Sequence, residues 1–465
     1  MKSRRTVILF CTIILSINVY TASSLIVTST NEQKPISSVT EAMSTVEKKL
    51  KSNAQVFEEI NVSTILSKLK TTGKFVLSLP DRDITLNLNE KDYNLDSSEE
   101  IYFYNGFVEN YENSEAYLTL DNHRISGRIE FPTKDRGIQS YSISHISDYI
   151  NPKINEKSPI HIIRQLNKFN NTAYDQVTNS FYELTEDDIP KSDNNSDYTC
   201  CADQEQENGI IRTLHDRLSS ISASGYYAKV KIFADYYYYQ HYGDTNWYYM
   251  DEVNYVIGKW GVSEQQNPDI QISVKTTDVW TSTSEGGGCY SATSMSDLLS
   301  KFRSWGNSQG IFGTWSGPGP GDHWNGDTDF ALLMTGKDWA DYLGMAYYQD
   351  AGVYNSGTYK YALCEIWPGL FTEIVAWGIS HEWGHLFAGH HDAAHGGPWG
   401  HRAWAWCDAW FFGICTGYRQ TNMWYGYIFL QASIGVFSKA NVDGASSAEN
   451  NIYYIRQWRN NYLRS

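Results

Sequence analysis

Tryptophan is absent from the first half of this 465-residue chain. All 16 tryptophans lie at or after Trp247, and the residues before it are rich in asparagine, serine, glutamate and lysine. A shift of composition of this kind indicates a domain boundary. We place a linker in the polar residues 187–209. The sequence therefore predicts one domain with its linker over residues 24–200 and a second domain over residues 201–465.

Basic residues are also scarce. Lysine and arginine number 37 against 53 aspartates and glutamates, which gives a formal net charge of -16. Proteins that bind nucleic acid carry basic patches, and anionic membrane surfaces attract basic segments. The charge balance therefore argues against nucleic acid and against an anionic membrane surface as partners.

Long apolar runs are lacking beyond the N-terminus. Three basic residues within the first five positions precede a mostly apolar run over residues 6–19, and small residues follow at 22–24. This order is typical of a secretory signal peptide, which we predict over residues 1–23. The run is short for a membrane span, and an uncleaved anchor is the alternative. We expect a secreted protein with no stable insertion into a membrane.

Cysteines are few but even in number after the predicted signal peptide. Of the seven, Cys11 lies within that peptide. An exported chain can form disulfides, and the sequence does not give the pairing. We expect up to three disulfides among the remaining six residues, Cys200, Cys201, Cys289, Cys364, Cys407 and Cys415.

A histidine-rich segment at residues 381–392, H-E-W-G-H-L-F-A-G-H-H-D, carries the chemistry. Residues four apart share one face of a helix, so His381 and His385 can point at one ion. Catalytic zinc takes imidazole nitrogens and keeps a position open for water. Glu382 can accept the proton of that water, and His391 is a third ligand of the right type. The alternative, a pair of ordinary surface or core histidines, is weakened by this third histidine.

The segment resembles the H-E-x-x-H-x-x-G-x-x-H stretch of the metzincin metallopeptidases. It is most similar to the adamalysin (reprolysin) group, in which an aspartate follows the third histidine, as Asp392 does here. The resemblance implies one catalytic Zn²⁺ held by three histidines and a general base at Glu382. It also implies an α/β catalytic domain with a mixed twisted sheet and a zinc helix behind the cleft.

One position departs from the family pattern. The family's glycine falls at Ala388, and the glycine of this chain is Gly389. A left-handed conformation is strained for alanine, so the helix break can slip onto Gly389. His390 would then compete with His391 for the third ligand position. The family's spacing favours His391.

Several other segments after residue 225 resemble adamalysin elements, among them residues 228–235 and 330–336. Residues 343–347, which include Gly344, Met345 and Ala346, are similar to the edge strand at the upper rim of the cleft. An unpaired edge can accept an extended peptide. Residues 247–260 fit an amphipathic helix.

Met423 is the candidate for the methionine that lies beneath the zinc in this family. Its alternative is plain core packing. Tyr425, two residues later, matches a tyrosine that several metzincins place near the zinc. The family commonly has an acid for a structural Ca²⁺ where Lys229 stands here, which argues against calcium at that position. Asp322, Asn325, Asp327 and Asp329 offer oxygen ligands without the calcium-loop spacing, and a solvated turn is the alternative.

Ahead of this domain, apolar and polar residues alternate over 74–88 and 101–131, which predicts half-buried strands. Residues 102–129 are similar to the prodomain of adamalysin-type proteases. A small β-rich prodomain would inhibit its own protease by covering the cleft, and a β-sandwich binding module is the alternative. Cys200 or Cys201 would supply a latency ligand to the zinc, or else both are structural cysteines.

Together these features predict a secreted zinc endopeptidase, made as a zymogen, that hydrolyses polypeptide substrates. One alternative is a non-enzymatic adhesion module with a vestigial zinc site, which has no need of Glu382. The other is a zinc peptidase with a downstream glutamate as third ligand. The E-x-x-x-D helix of such peptidases is not evident after the zinc helix.

Overall fold

The chain divides into two compact units, Met1–Lys34 and Pro35–Ser465. In this computed structural model, the description covers parts of the second unit. These are residues 38–50, 55–91, 100–132, 138–149, 155, 157–165, 226–262, 267–312, 328–339, 343–347, 360–366, 372–391, 405–411, 414–420, 422–423 and 451–462. Within these residues, no helix is long and apolar enough to cross a membrane.

The N-terminal part is an eight-stranded antiparallel sheet with the order β1-β8-β7-β6-β5-β4-β3-β2. Two helices accompany it, α1 (Val39–Leu50) and α2 (Val62–Thr72). The strands are β1 (Gln55–Glu59), β2 (Lys74–Ser78), β3 (Asp83–Lys91), β4 (Tyr102–Val108), β5 (Glu115–Leu120), β6 (Ile125–Pro132), β7 (Ile138–His145) and β8 (Ile160–Gln165).

Strands β2 to β6 confirm the strands predicted from alternation. In β2 the side chains of Phe75 and Leu77 are buried while their neighbours are exposed, as a period of two requires. Helix α2 begins where the side chain of Asn61 accepts a hydrogen bond from the backbone N–H of Thr64. It ends at Gly73, which has a left-handed φ of 65°.

The C-terminal part contains a five-stranded mixed sheet with the order β10-β9-β11-β13-β12. Its strands are β9 (Tyr227–Ala234), β10 (Gln271–Val279), β11 (Phe330–Thr335), β12 (Gly344–Ala346) and β13 (Tyr361–Glu365). All neighbours are parallel except β12, which runs antiparallel to β13. A separate hairpin consists of β14 (Ala405–Phe411) and β15 (Ile414–Gln420). The mixed sheet agrees with the expected fold class.

The described residues of this part include the helices α3 (Tyr236–Tyr242), α4 (Trp247–Trp260), α5 (Met295–Gln309), α6 (Thr372–Leu386) and α7 (Asn451–Tyr462). Side chains on the two faces of β9 pack into two different hydrophobic cores. Val230 and Ile232 join a core with α4 and α6, whereas Phe233 joins a core with α5 on the opposite face. The sheet is therefore covered by helices on both faces, and α6 lies on the same face as α4.

Helix α4 has the predicted bounds but not the predicted exposure. An amphipathic helix leaves one face in water, yet 12 of the 14 residues of α4 are buried. One side packs against α6, and another packs against β5 and β6 of the N-terminal sheet. A helix that is buried all round lies between two layers, so α4 is shared by both parts of the protein.

Two cysteines lower the number of disulfides that the chain can form from the three that the sequence allows. Cys289 and Cys364 are both free and buried. Cys364 belongs to the core on the α4 face of the sheet and Cys289 to the core on the α5 face, so the sheet separates the two thiols. At most two disulfides remain for the other four cysteines, whose side chains fall outside the description.

Candidate metal centre

Helix α6 is held from its buried side by aromatic residues. The indole N–H of Trp260, at the end of α4, donates to the hydroxyl of Ser380 at 2.8 Å. The rings of Trp260 and Trp383 meet edge to face, with centroids 5.9 Å apart. Phe330 of β11 packs against Trp383 in the same manner at 5.4 Å. The helix that carries His381 is therefore fixed by two neighbouring elements.

Three histidines from the predicted motif converge with one ring nitrogen each. The Nε2 atom of His391 lies 3.0 Å from that of His381 and 3.1 Å from that of His385. The Nε2 atoms of His381 and His385 are 3.2 Å apart. Nitrogens at 2.0–2.1 Å from one tetrahedral zinc would be about 3.3 Å apart. The three side chains therefore fit a single metal ion of this type.

The opposite ring nitrogens fix the tautomers. Nδ1 of His381 lies 2.8 Å from the carbonyl oxygen of Asn422, and Nδ1 of His385 lies 2.9 Å from that of Gly389. A carbonyl only accepts, so each Nδ1 carries the proton and each Nε2 presents its lone pair to the centre. Burial lowers the pKa of His381 to about 4, and burial together with the neighbouring His381 lowers the pKa of His385 well below its ordinary range. Neutral imidazole, the form that binds metal, is thereby favoured at pH 7.

The turn after α6 decides between the two positions considered for the helix break. Ala388 takes the left-handed conformation itself, with φ of 68°. The N–H of Gly389 donates to the carbonyl of Gly384, and that of Ala388 to the carbonyl of His385. These two bonds form a Schellman motif with Ala388 at the position that glycine usually takes. They compensate for the strain, so the break stays at Ala388.

Because the break does not move, His391 rather than His390 joins His381 and His385. His390 is also buried, but its backbone is held elsewhere. The side chain of Asn451, the first residue of α7, accepts from the N–H of His390 and donates to its carbonyl, both at 2.8 Å. This clamp fixes the turn that presents His391. Asn451 is distant in sequence, and no pattern in the sequence indicated it.

The strain at Ala388 gives the first testable prediction. An L-residue in the left-handed region costs about 1–2 kcal/mol. Glycine removes this strain from the folded state, but it also raises the conformational entropy of the unfolded chain, which offsets part of the stabilisation. We expect Ala388→Gly to raise the free energy of unfolding by about 0.5–1 kcal/mol, measured by denaturant titration. The matched control is Gly389→Ala, whose Cβ would lie 3.0 Å from the Gly384 carbonyl oxygen. A destabilised Ala388→Gly variant would contradict the assignment of strain to this residue.

The contact of Asn451 with the backbone of His390 gives the second testable prediction. Loss of outer partners of metal ligands typically costs about 10- to 100-fold in metal affinity. We expect Asn451→Ala to lower zinc affinity by about that factor, measured by competition with a chelating dye. Tyr453→Ala on the same helix is the control, because Tyr453 is 54% exposed. Equal affinity in the two variants would show that the clamp does not orient His391.

Met423 lies at the base of the three histidines. It is fully buried, and its neighbour Asn422 supplies the carbonyl that holds His381. A Cβ built on Gly389 would lie 3.2 Å from the sulfur of Met423, so the methionine packs directly beneath the turn. Met423 therefore stays the candidate for the methionine beneath a bound metal. Tyr425 and Asp392 fall outside the described residues.

Strand β12 lies next to Glu382. Gly344, Met345 and Ala346 form the last strand of the sheet among the described residues, paired only with β13 on one side. A Cβ on Gly344 would come within 2.7 Å of both Cγ and Oε1 of Glu382. The glycine therefore allows the carboxylate, which is 1% exposed, to approach the strand closely. The predicted peptide-binding strand and the predicted base are neighbours.

Most of the remaining predicted site residues lie outside the part of the chain that the structure describes. Cys200 and Cys201 fall outside the description, as do Asp322, Asn325 and Asp327. Asp329 is occupied otherwise, because its Oδ2 accepts from the backbone N–H of Lys229 at 2.8 Å. Among the residues that the structure describes, the three histidines are the one group suited to a metal ion. The calcium site therefore gains no support.

Comparisons with known proteins add little to this geometry. No protein-family model and no curated protein matches the chain. Among solved structures, it is similar to the metalloproteinase-II of Bacteroides fragilis, with 11% sequence identity and a TM-score of 0.39. The match covers 71% of this chain and 86% of that chain. A similarity this low does not establish a shared function. The functional proposal below therefore rests on the residues of the metal centre.

Proposed function

We propose that the protein is a zinc-dependent endopeptidase of the adamalysin-like metzincin type. The observation that carries the proposal is the convergence of the Nε2 atoms of three histidines within 3.2 Å of one another. His381, His385 and His391 would hold the ion, and three protein ligands leave the fourth position open. When bound, zinc supplies Lewis acidity, which activates a water and polarises a peptide carbonyl.

Glu382 supplies the acid–base chemistry. It neighbours His381 in sequence but is not among the converging ligands. Its carboxylate can accept a proton from the attacking water and then deliver that proton to the leaving amine. Burial against β12 excludes bulk water from this group. A purely structural metal site has no need of such a base, so Glu382 favours an enzyme over an adhesion module.

Strand β12 supplies the binding of the substrate. An extended peptide can add to the edge of a sheet through backbone hydrogen bonds, which read little side-chain sequence. Because Gly344 lies against Glu382, a peptide on β12 would pass close to the base and the three histidines. The substrate class that this arrangement suits is therefore unfolded or extended polypeptide.

Secretion and zymogen status are part of the same proposal. The signal-like N-terminus supports export, and the N-terminal sheet corresponds in place to a prodomain that would inhibit the protease. The test of the function is casein hydrolysis and zinc content, measured together in the wild type and in Glu382→Gln. Zinc without hydrolysis in the wild type, before and after cleavage of the chain between residues 166 and 225, would favour the adhesion module.

A further inference from the structure

Helix α4 joins the two parts of the protein through side chains that are unusual inside a protein. Its buried residues include Asp251 and Glu252, and the side chain of Lys259 is only 15% exposed. Charged side chains are rarely fully buried unless they are paired. Each of these three meets a polar or charged partner on β5 or β6 of the N-terminal sheet. The partners define an interface, which we call the α4 interface.

The charges of the α4 interface are complementary in both directions. Lys259 of the helix bonds Glu115 at 2.5 Å and Glu130 at 2.6 Å on the sheet. Arg128 of the sheet pairs in turn with Glu252 of the helix at 3.3 Å, and both of these side chains are almost fully buried. Because a cation and an anion come from each side, a shifted register would place like charges together. The pairs therefore specify one way of docking.

Hydrogen bonds complete the polar part. The hydroxyl of Ser126 on β6 donates to Asp251 at 2.5 Å. The hydroxyl of Tyr255 donates to Glu130 at 2.7 Å. The amide of Asn254 donates to the carbonyl of Leu118 at 3.3 Å. These contacts satisfy groups of α4 that would otherwise be buried at a cost.

Aromatic packing supplies the apolar part. Tyr117 of β5 and Phe103 of β4 belong to the same buried core as the zinc helix α6. The ring of Tyr117 meets that of Tyr255 edge to face at 5.3 Å. It also fills the notch at Gly258, where a Cβ would lie 1.9 Å from Cε1 of Tyr117. Removal of the sheet would expose this apolar surface to water.

We propose that the α4 interface keeps residues 38–165 bound to the C-terminal part after the chain between residues 166 and 225 is cut. Cleavage would then yield a lasting two-chain protein and not a released N-terminal domain. The sheet would continue to cover α4, which itself holds the zinc helix through Trp260 and Ser380. This inference goes beyond the proposed function and does not require that the protein cleave peptides.

The test uses the full-length chain with a recognition sequence for a site-specific protease inserted between residues 166 and 225. After complete cleavage, we expect the two fragments to co-elute in size-exclusion chromatography at about 0.15 M and also at about 1 M NaCl. Co-elution should survive the higher salt because buried ion pairs are screened little. Separation at either salt concentration would overturn the proposal. Casein hydrolysis in the same samples tests the zymogen proposal separately. Co-elution without a gain in activity would contradict the zymogen proposal but not the proposal about the α4 interface.

Variants at the α4 interface test whether this interface holds the two cleaved fragments together. Leucine is a better helix former than glycine, so Gly258→Leu would favour α4 in isolation but would clash with Tyr117. We expect the cut Gly258→Leu protein to separate, with fragment affinity lowered by at least about 100-fold. Gly261→Ala is the control, because its Cβ would lie no closer than 3.5 Å to another atom. Co-elution of cut Gly258→Leu as in the wild type would contradict the proposal.

A charge reversal keeps the proposal testable if Gly258→Leu does not fold. Glu252→Arg places two cations in one buried pair with Arg128, and we expect its cut fragments to separate. The double variant Arg128→Glu with Glu252→Arg restores opposite charges and should restore co-elution. A double variant that separates as fully as the single variant would show that this pair does not direct the docking.

Discussion

Glu382→Gln is expected to fold, to keep its zinc and to hydrolyse casein at least about 10²-fold more slowly than the wild type. Glutamine preserves the size of the side chain but cannot accept a proton. General-base loss typically costs about 10² to 10⁴ in rate, and in the proposed mechanism the same group also delivers the proton to the leaving amine. The three converging histidines are unaffected, because Glu382 is not one of them.

The control for Glu382→Gln is Glu373→Gln, the same chemical change on the same helix. The two positions are nine residues apart, which is about 13 Å along a helix axis, so the control should retain wild-type hydrolysis. Zinc is measured in each variant by elemental analysis. Wild-type hydrolysis by zinc-loaded Glu382→Gln would mean that another group is the base.

His391→Ala and His390→Ala should differ sharply in zinc content. Both side chains are buried, so each truncation leaves a comparable gap. Only His391 directs its Nε2 at His381 and His385. We expect His391→Ala, like His381→Ala and His385→Ala, to retain well under one tenth of an equivalent after dialysis against a weak chelator, since three protein ligands are needed. His390→Ala should keep about one equivalent.

Circular dichroism separates a local effect on the metal from a loss of fold in this pair of variants. A folded His391→Ala that keeps zinc, beside a His390→Ala that loses it, would reverse the ligand assignment. It would also mean that the turn at Ala388 differs in solution from the one described.

The sequence predicted the parts of the structure that depend on local pattern. Alternation over residues 74–88 predicts β2 and β3 because the sheet there buries one face. The spacing of His381 and His385 places them together because helical geometry alone fixes residues four apart. His391 was also predicted as the third ligand. It reaches the other two histidines because Ala388 takes the left-handed conformation, which the intrinsic preference of alanine disfavours.

Ala388 shows where local reasoning fails. Its left-handed conformation is unfavourable by itself, which made a shifted break an alternative to the family's spacing. Two backbone hydrogen bonds and the packing of Met423 beneath Gly389 oppose the shift. The Asn451 clamp adds contacts from a residue 61 positions away from His390. Such long-range terms are not encoded in any short window of sequence.

The charged residues of α4 show a second limit. Asp251, Glu252 and Lys259 predict a solvated face when the helix is considered alone. In the structure Asp251 bonds Ser126, Glu252 pairs with Arg128, and Lys259 pairs with acids of the same N-terminal sheet, all more than 120 residues earlier. Pairing of opposite charges across that distance can be found only in the folded structure.

Anomalous diffraction at the zinc absorption edge, from crystals of the purified protein, tests the central claim most directly. The account predicts one anomalous peak per chain, about 2.0–2.1 Å from the Nε2 atoms of His381, His385 and His391. A peak bound by His390 in place of His391, or zinc-supplemented crystals with no peak at these three histidines, would contradict it.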